Sequence, residues 1–212
     1  MPNVIYTEIA LPKIVRKAIA LANQLGFPLM PEGRPVGYTG RPSACIPQVG
    51  RLLQALAAGK PGGRIGEFGT GAGVGTAWLA SGLAAGANLI SIELNPALAS
   101  AVGELFADHP NVEIRAGDWH EVVPRNQQFD LLFMDSTPRA DLQPANWDAV
   151  TELLAIGGQI VMDDLTPVAL WPAEWENTID YKRDFALSNP RVAGTEVLTT
   201  PTTAALIVTR LR

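Results

Sequence analysis

Residues 67–75 read Glu-Phe-Gly-Thr-Gly-Ala-Gly-Val-Gly, with a glycine at every second position from Gly69 to Gly75. The run lies between a short apolar stretch, 64–68, and a helical pattern that opens at Val74. So many glycines disfavour continued regular structure, so the backbone is expected to turn sharply there and to let a ligand approach with no Cβ in the way. A helix opening just after the turn aims its first amides at that ligand. The next apolar run, 88–93, ends in Glu93, a carboxylate that can accept hydrogen bonds from both hydroxyls of a ribose. Strand, glycine turn, helix and terminal acid together predict a nucleoside-bearing ligand at the carboxyl edge of a sheet. The plainer alternative is a tight strand–helix packing turn.

Around this turn the chain alternates between strand and helix patterns. Strands are expected at 64–68, 88–93, 112–116, 129–134 and 159–162. Helices are expected at 74–85, 96–108, near 120–123 and at 142–155, with Asn95-Pro96 as a cap followed by proline in the first turn. Such alternation predicts an α/β fold, a doubly wound parallel sheet covered by helices on both faces. The end of the chain breaks the rhythm. A helix near 178–188 precedes two β-rich runs, 191–198 and 204–210, whose short connection only an antiparallel pair allows. Before the sheet, 8–25 reads as an amphipathic helix with Leu11, Ile14, Val15, Ala18, Ala22 and Leu25 on one stripe. Eight of the seventeen residues from 26 to 42 are Gly or Pro, so that stretch is expected to be a surface cover rather than a regular element. A second helix is expected from Pro47 to Ala58. No repeat or linker divides the chain, and 1–212 reads as one domain with 1–60 as its N-terminal helical cover.

Composition narrows the class. Apolar residues make up 47% and charged residues 17%, which excludes a disordered chain. No apolar run approaches the roughly 20 residues of a bilayer span. Residues 1–12 show no basic-then-apolar signal pattern, so a cytoplasmic globular protein is expected. The single cysteine, Cys45, excludes an intramolecular disulfide and a cysteine-cluster metal site. The net charge of −5 argues against broad nucleic-acid binding, although residues 1–60 carry +5 and the remainder −10.

Three further features refine the ligand. Glu67 stands two residues before the first glycine, Gly117-Asp118-Trp119 follows the third strand, and an antiparallel pair closes the sheet. With the glycine loop, these resemble the class I S-adenosylmethionine-dependent methyltransferases from about Ser43 to the C-terminus. The layout is most similar to the small metal-dependent O-methyltransferases of the catechol and caffeoyl-coenzyme A type. The resemblance implies a Rossmann-like, seven-stranded mixed sheet whose last strand is antiparallel. It assigns the donor's methionine part to Glu67 and the Gly69, Thr70, Gly71 and Gly73 backbone, and its ribose to Glu93 with Leu94 beside it. Asp118 and Trp119 frame the adenine, and Ser43 to Cys45 cover the methionine tail. The alternatives are a core side chain for Trp119 and a turn-forming residue for Asp118.

The family pattern also places an Asp at the end of the fourth strand and an acidic pair at the end of the fifth. Here these are Asp135, which would contact donor and acceptor, and Asp163-Asp164. Three carboxylates at one sheet edge suit a hard cation such as Mg²⁺, Mn²⁺ or Ca²⁺. The alternative is that they cap helices or touch the donor directly. Two departures stand out: Asp164 occupies a position usually held by Asn, and Pro138 stands where the family often has a lysine base. Arg139 cannot replace that base because it stays protonated.

On the acceptor side, Trp171 and Trp175 lie in a proline-containing loop after the acid pair and read as a wall for a flat acceptor, or as packing for the loop. Tyr38, Arg34 and Arg41 in the cover are candidate polar contacts. The expected activity is S-adenosylmethionine-dependent O-methylation of a small hydroxylated, aromatic acceptor. Its competitors are methylation of a tRNA nucleoside, a donor-binding module without turnover, and a dehydrogenase. The resemblance further implies a homodimer, with 8–25 and the cover as its surface, although no heptad run requires one.

Overall fold

The computed structural model describes residues 11–30, 35–36, 42–124, 126–136 and 138–212. Seven strands form one sheet in the order β3-β2-β1-β4-β5-β7-β6. They are β1 (Arg64–Phe68), β2 (Asn88–Glu93), β3 (Val112–Ala116), β4 (Phe129–Met134), β5 (Leu154–Leu165), β6 (Val192–Leu198) and β7 (Ala204–Arg210). The first five pair in parallel, while β7 lies antiparallel to both β5 and β6, as the short connection requires. This is the α/β, Rossmann-like mixed sheet expected from the alternation.

Seven α-helices accompany the strands among the described residues: α1 (Lys13–Leu25), α2 (Pro47–Ala58), α3 (Val74–Ser81), α4 (Pro96–Leu105), α5 (Trp119–Val122), α6 (Trp147–Glu152) and α7 (Tyr181–Ser188). β1 and β4 are buried almost throughout, because central parallel strands are covered on both faces. Phe68, Leu132 and Met134 pack with Ile160 and Leu206 in one cluster. Ile65, Leu131 and Phe133 pack with Leu53 and Leu79 in another. α1 sets Val15, Ala18 and Ala22 against Val74, Ala77 and Trp78. Leu25, expected on the buried stripe, is 36% exposed because the helix ends there at Gly26. The expected start of α1 at residue 8 lies outside the described residues.

Several element boundaries differ from expectation for local reasons. α3 stops at Ser81 rather than 85, where Gly82 lets α2 pass so close that a Cβ would sit 2.3 Å from the Gln54 carbonyl oxygen. α4 likewise ends at Leu105 rather than 108, capped by Phe106. The helix expected over 142–155 is shortened to a 3₁₀ turn at Pro144–Asn146 and α6, and β5 already begins at Leu154. The β4–β5 register jumps from Phe129↔Leu154 to Leu131↔Gln159, and the displaced residues include Gly157 with φ 77°. Glycine accommodates that irregularity within an extended run, which is why the apolar core at 159–162 understated the strand. α7 starts at Tyr181 instead of 178 because Asp180 caps it, accepting from the amides of Lys182 at 3.1 Å and Arg183 at 3.2 Å.

The strand order reverses between β1 and β4, the position where an open α/β sheet leaves a crevice beyond its carboxyl edge. Ends of both strands are tied together there. The Asp135 and Ser136 amides donate to the Phe68 carbonyl at 3.1 and 2.9 Å, and the Gly69 amide donates to Ile92 at 2.9 Å. No helix among the described residues is long and apolar enough to cross a membrane.

Candidate active site

The crevice opens into a cavity of about 460 Å³ between the glycine loop and the segment preceding α2. Its loop side is built by Gly69, Thr70, Gly71 and Gly75, and its cover side by Phe27 and Ser43 to Cys45. Glu93, Asp135 and Asp164 also line it. The cover is held in place by a parallel bridge between Leu29 and Ala44, with the Ala44 amide donating to Pro28 at 3.0 Å.

Gly69 is required by geometry twice over. Its φ is 100°, and a Cβ there would lie 2.6 Å from the Ser136 side chain and 2.9 Å from its amide nitrogen. Glu93 fixes the other end of the loop. Its Oε2 accepts from the Gly71 amide at 2.8 Å and its Oε1 from the Asn95 amide at 2.9 Å. At 9% exposure, this carboxylate forms a wall of the cavity.

Glu67 lies under the loop rather than along the cavity. Its Oε1 occupies the space that a Cβ on Gly75 would need, and its Oε2 accepts hydrogen bonds from the hydroxyls of Thr76 and Ser91. Burial, reinforced by the charges of Glu93 and Asp163, pushes its carboxyl up to about 7 against the lowering effect of those two hydroxyls. Thr70 Oγ1 extends the network to Ser91 at 2.6 Å. Thr76 and Ser91 were not singled out in the sequence, where a hydroxyl on a helix or mid-strand carries no signal of the acid it meets.

The remaining residues expected around the donor lie outside the cavity wall. Gly73 caps α3 in the left-handed conformation, and a Cβ there would meet Val102 at 2.7 Å. Leu94 is 73% exposed. The Asp118 carboxylate caps α5, accepting from the His120 amide at 2.9 Å and meeting His120 Nδ1 at 2.7 Å. The indole of Trp119 stacks on Phe68 with centroids 4.8 Å apart and on His120 at 3.6 Å.

Asp135, Asp163 and Asp164 come together: one carboxylate oxygen from each lies within 4.8 Å of the others. In a regular strand, neighbouring side chains at 163 and 164 would point to opposite faces. Here the β5–β7 register shifts between Met162 and Leu165, and Asp164 takes φ 60°, the one positive value at a non-glycine position among the described residues. A bulge of this kind re-aims side chains. Oxygen donors so grouped suit Mg²⁺ or Mn²⁺ rather than a soft metal. Cys45 adds no thiolate, since burial first and the surrounding acids Asp163, Asp135, Glu67 and Asp164 next push its thiol well above the ordinary range.

Asp164 also borders a second cavity, of about 390 Å³, that contains Trp171 and Trp175. The two indoles meet edge to face with centroids 6.3 Å apart. Trp171 is held by its own N–H, which donates to the Thr166 carbonyl at 3.0 Å, and by the Arg183 guanidinium 5.4 Å from its ring centroid. Lys182, unremarked in the sequence, borders the same cavity, and its Nζ donates to the Asp163 carbonyl at 2.7 Å. Tyr38, Arg34 and Arg41 lie outside the described residues.

The strand order, the antiparallel seventh strand and the glycine loop with its acid at the end of β2 define the fold of class I S-adenosylmethionine-dependent methyltransferases. The family model described as a methyltransferase domain matches residues 67–165, a little under half of the chain. A protein of Mycobacterium avium provisionally named an O-methyltransferase is 34% identical over 125 residues, 56% of this chain and 55% of that protein. A similarly named protein of Mycobacteroides abscessus is 34% identical over 122 residues. The chain thus spans about half the length of the curated relatives it matches. Among solved structures, the O-methyltransferase of Bacillus cereus in complex with S-adenosylhomocysteine superposes with a TM-score of 0.70 at 20% identity, covering 99% of this chain and 95% of that one. The O-methyltransferase TomG of Streptomyces achromogenes, in complex with S-adenosylmethionine, gives 0.68 at 21% identity, covering 95% and 91%. At these identities the structural likeness speaks to the fold.

Proposed function

We propose that this chain is an S-adenosylmethionine-dependent O-methyltransferase acting on a small hydroxylated, aromatic acceptor, aided by a divalent cation. The observation that carries the reading is the position of Asp164. It borders both the cavity walled by the glycine loop and Glu93 and the cavity walled by Trp171 and Trp175. A donor in the first and an acceptor in the second would meet at this acid. The curated relatives and the two complexes named above support the donor and the oxygen acceptor.

In this reading the backbone of Gly69 to Gly71 and the Glu93 carboxylate hold the adenosyl portion, and Glu67 stiffens the loop from below. Phe27 and Ser43 to Cys45 exclude water. Asp135, Asp163 and Asp164 would hold Mg²⁺ or Mn²⁺, whose charge favours the ionised form of an acceptor hydroxyl. Asp135 and Asp164 orient that hydroxyl. Since a sulfonium methyl is already reactive, alignment supplies most of the rate enhancement asked of the protein. Residues 1–60 act as the cover of one methyltransferase domain, in a cytoplasmic enzyme that pairs as a homodimer.

The test is calorimetric titration with S-adenosylhomocysteine and with NAD, followed by methyl-transfer assays on catechols, other hydroxylated aromatics and bulk tRNA. Binding of the homocysteine compound and methylation of an aromatic hydroxyl are expected. Binding of NAD alone would overturn the proposal. Pro138, in place of a lysine, favours one second reading, a donor-binding module without turnover. Donor binding with no methylation across the whole panel is its signature.

A further inference from the structure

The cavity beside Asp164 carries more positive charge than an aromatic wall alone requires. Arg139, Lys182 and Arg183 border it against Asp164 and Asp180, in a chain whose net charge is −5. Arg183 is committed to the fold. It is 8% exposed, its Nε and Nη2 donate to Glu196 at 2.7 and 2.8 Å, and its Nη1 meets Asp180 at 2.5 Å. Asp180 is thereby consumed as well. Arg139 and Lys182 are differently placed. The Arg139 guanidinium lies 4.2 Å from the Tyr181 ring centroid, and Lys182 Nζ donates to a main-chain carbonyl. Neither has a carboxylate partner within 4.0 Å among the described residues. Two cations held by a ring and a carbonyl, at the mouth of an indole-walled cavity, leave charge available for a ligand.

We propose that the acceptor carries an anionic group, a carboxylate on the aromatic ring that bears the reacting hydroxyl, and that Arg139 and Lys182 bind it. This rests on the methyltransferase reading above and adds the class of acceptor. The ring lies against Trp171 and Trp175 with its hydroxyl toward Asp164 and its carboxylate toward Arg139. A planar guanidinium matches a carboxylate in two parallel hydrogen bonds, and the cavity of about 390 Å³ is large enough for one ring with a short acidic substituent.

The experiment compares two probes of nearly equal size, dihydroxybenzoate and dihydroxybenzamide, titrated into the full chain in magnesium buffer with tryptophan fluorescence as the signal. It is run with and without S-adenosylhomocysteine. The benzoate is expected to bind about tenfold tighter than the amide, the scale of hydrogen bonds to a charged group. In the double variant Arg139→Gln with Lys182→Gln, that preference should fall to within about twofold, with Arg139→Lys intermediate. Equal affinity of the two probes in the parent overturns the proposal. So does no benzoate binding at millimolar concentration, or a preference that survives in the double variant. If the double variant does not fold, Arg139→Gln alone decides, since Arg139 is exposed and its described contact is the Tyr181 ring. Loss of homocysteine-compound binding in the parent would sink the methyltransferase reading instead, and the probe comparison without that compound remains interpretable.

Discussion

Ser91 Oγ donates to Glu67 Oε2 at 2.5 Å, and the carboxyl that receives it is 1% exposed under the glycine loop. This acid titrates at about 7 in the folded chain against 4.5 for the ordinary group. Because the folded value is the higher, the folded state binds the extra proton between the two values. Glu67 therefore favours folding most below pH 4.5, and that contribution is lost as the pH rises to about 7. The full loss is about 3 kcal/mol by linkage. Urea unfolding at about pH 5 and about pH 8 should show a stability decline that Glu67→Gln removes. An equal decline in the variant would mean that another group titrates.

Glu93 makes the corresponding contact on the cavity side of the loop, through the Gly71 amide. Glu93→Ala releases that amide and takes away the acceptor proposed for the ribose hydroxyls. Binding of S-adenosylhomocysteine, measured by calorimetry, should weaken by about several-fold to a hundredfold. Undiminished binding would move the ribose elsewhere.

The sheet was legible because its determinants are local. Short apolar runs, Asn95-Pro96 and the Thr199–Thr203 connection each prescribe an element without reference to distant residues. The loop side of the first cavity was legible to the same extent: Gly69, Gly71 and Glu93, which line it, signal through backbone freedom and strand ends. What escaped depends on pairing across the sequence. Thr76 and Ser91 meet Glu67 only after β1, β2 and α3 assemble, and Lys182 reaches Asp163 only because Asp180 sets the start of α7. Neither the bulge at Asp163–Asp164 nor the jump at Gly157 leaves a periodic trace, since each consists of a break in periodicity.

The three clustered aspartates give a metal prediction. Like charges within 4.8 Å repel, and a cation bound only by the folded chain stabilises it by mass action. At a hundred times its dissociation constant, Mg²⁺ or Mn²⁺ would add about 2.7 kcal/mol, a rise of several degrees in melting temperature. Asp163→Asn with Asp164→Asn should abolish the rise, and a chelator should reverse it in the parent. An unchanged melting temperature in the parent under saturating cation would rule the site out.

The backbone at Asp164 permits a cleaner comparison, because Asp164→Asn and Asp164→Ala remove the same charge. They differ in how well they accept φ 60°. Both residues bring a Cβ toward the following carbonyl in the left-handed region, but asparagine offsets that cost with a local side-chain hydrogen bond that alanine cannot make. Urea unfolding should therefore find the alanine variant less stable than the asparagine variant by about 1 kcal/mol. Both should lose methyl transfer if the acid orients the acceptor, so the stability difference and the activity loss separate the conformation from the carboxylate. Equal stabilities would show that the bulge relaxes once the acid is gone, and that the strain is imposed by the charge cluster rather than by the β5–β7 register.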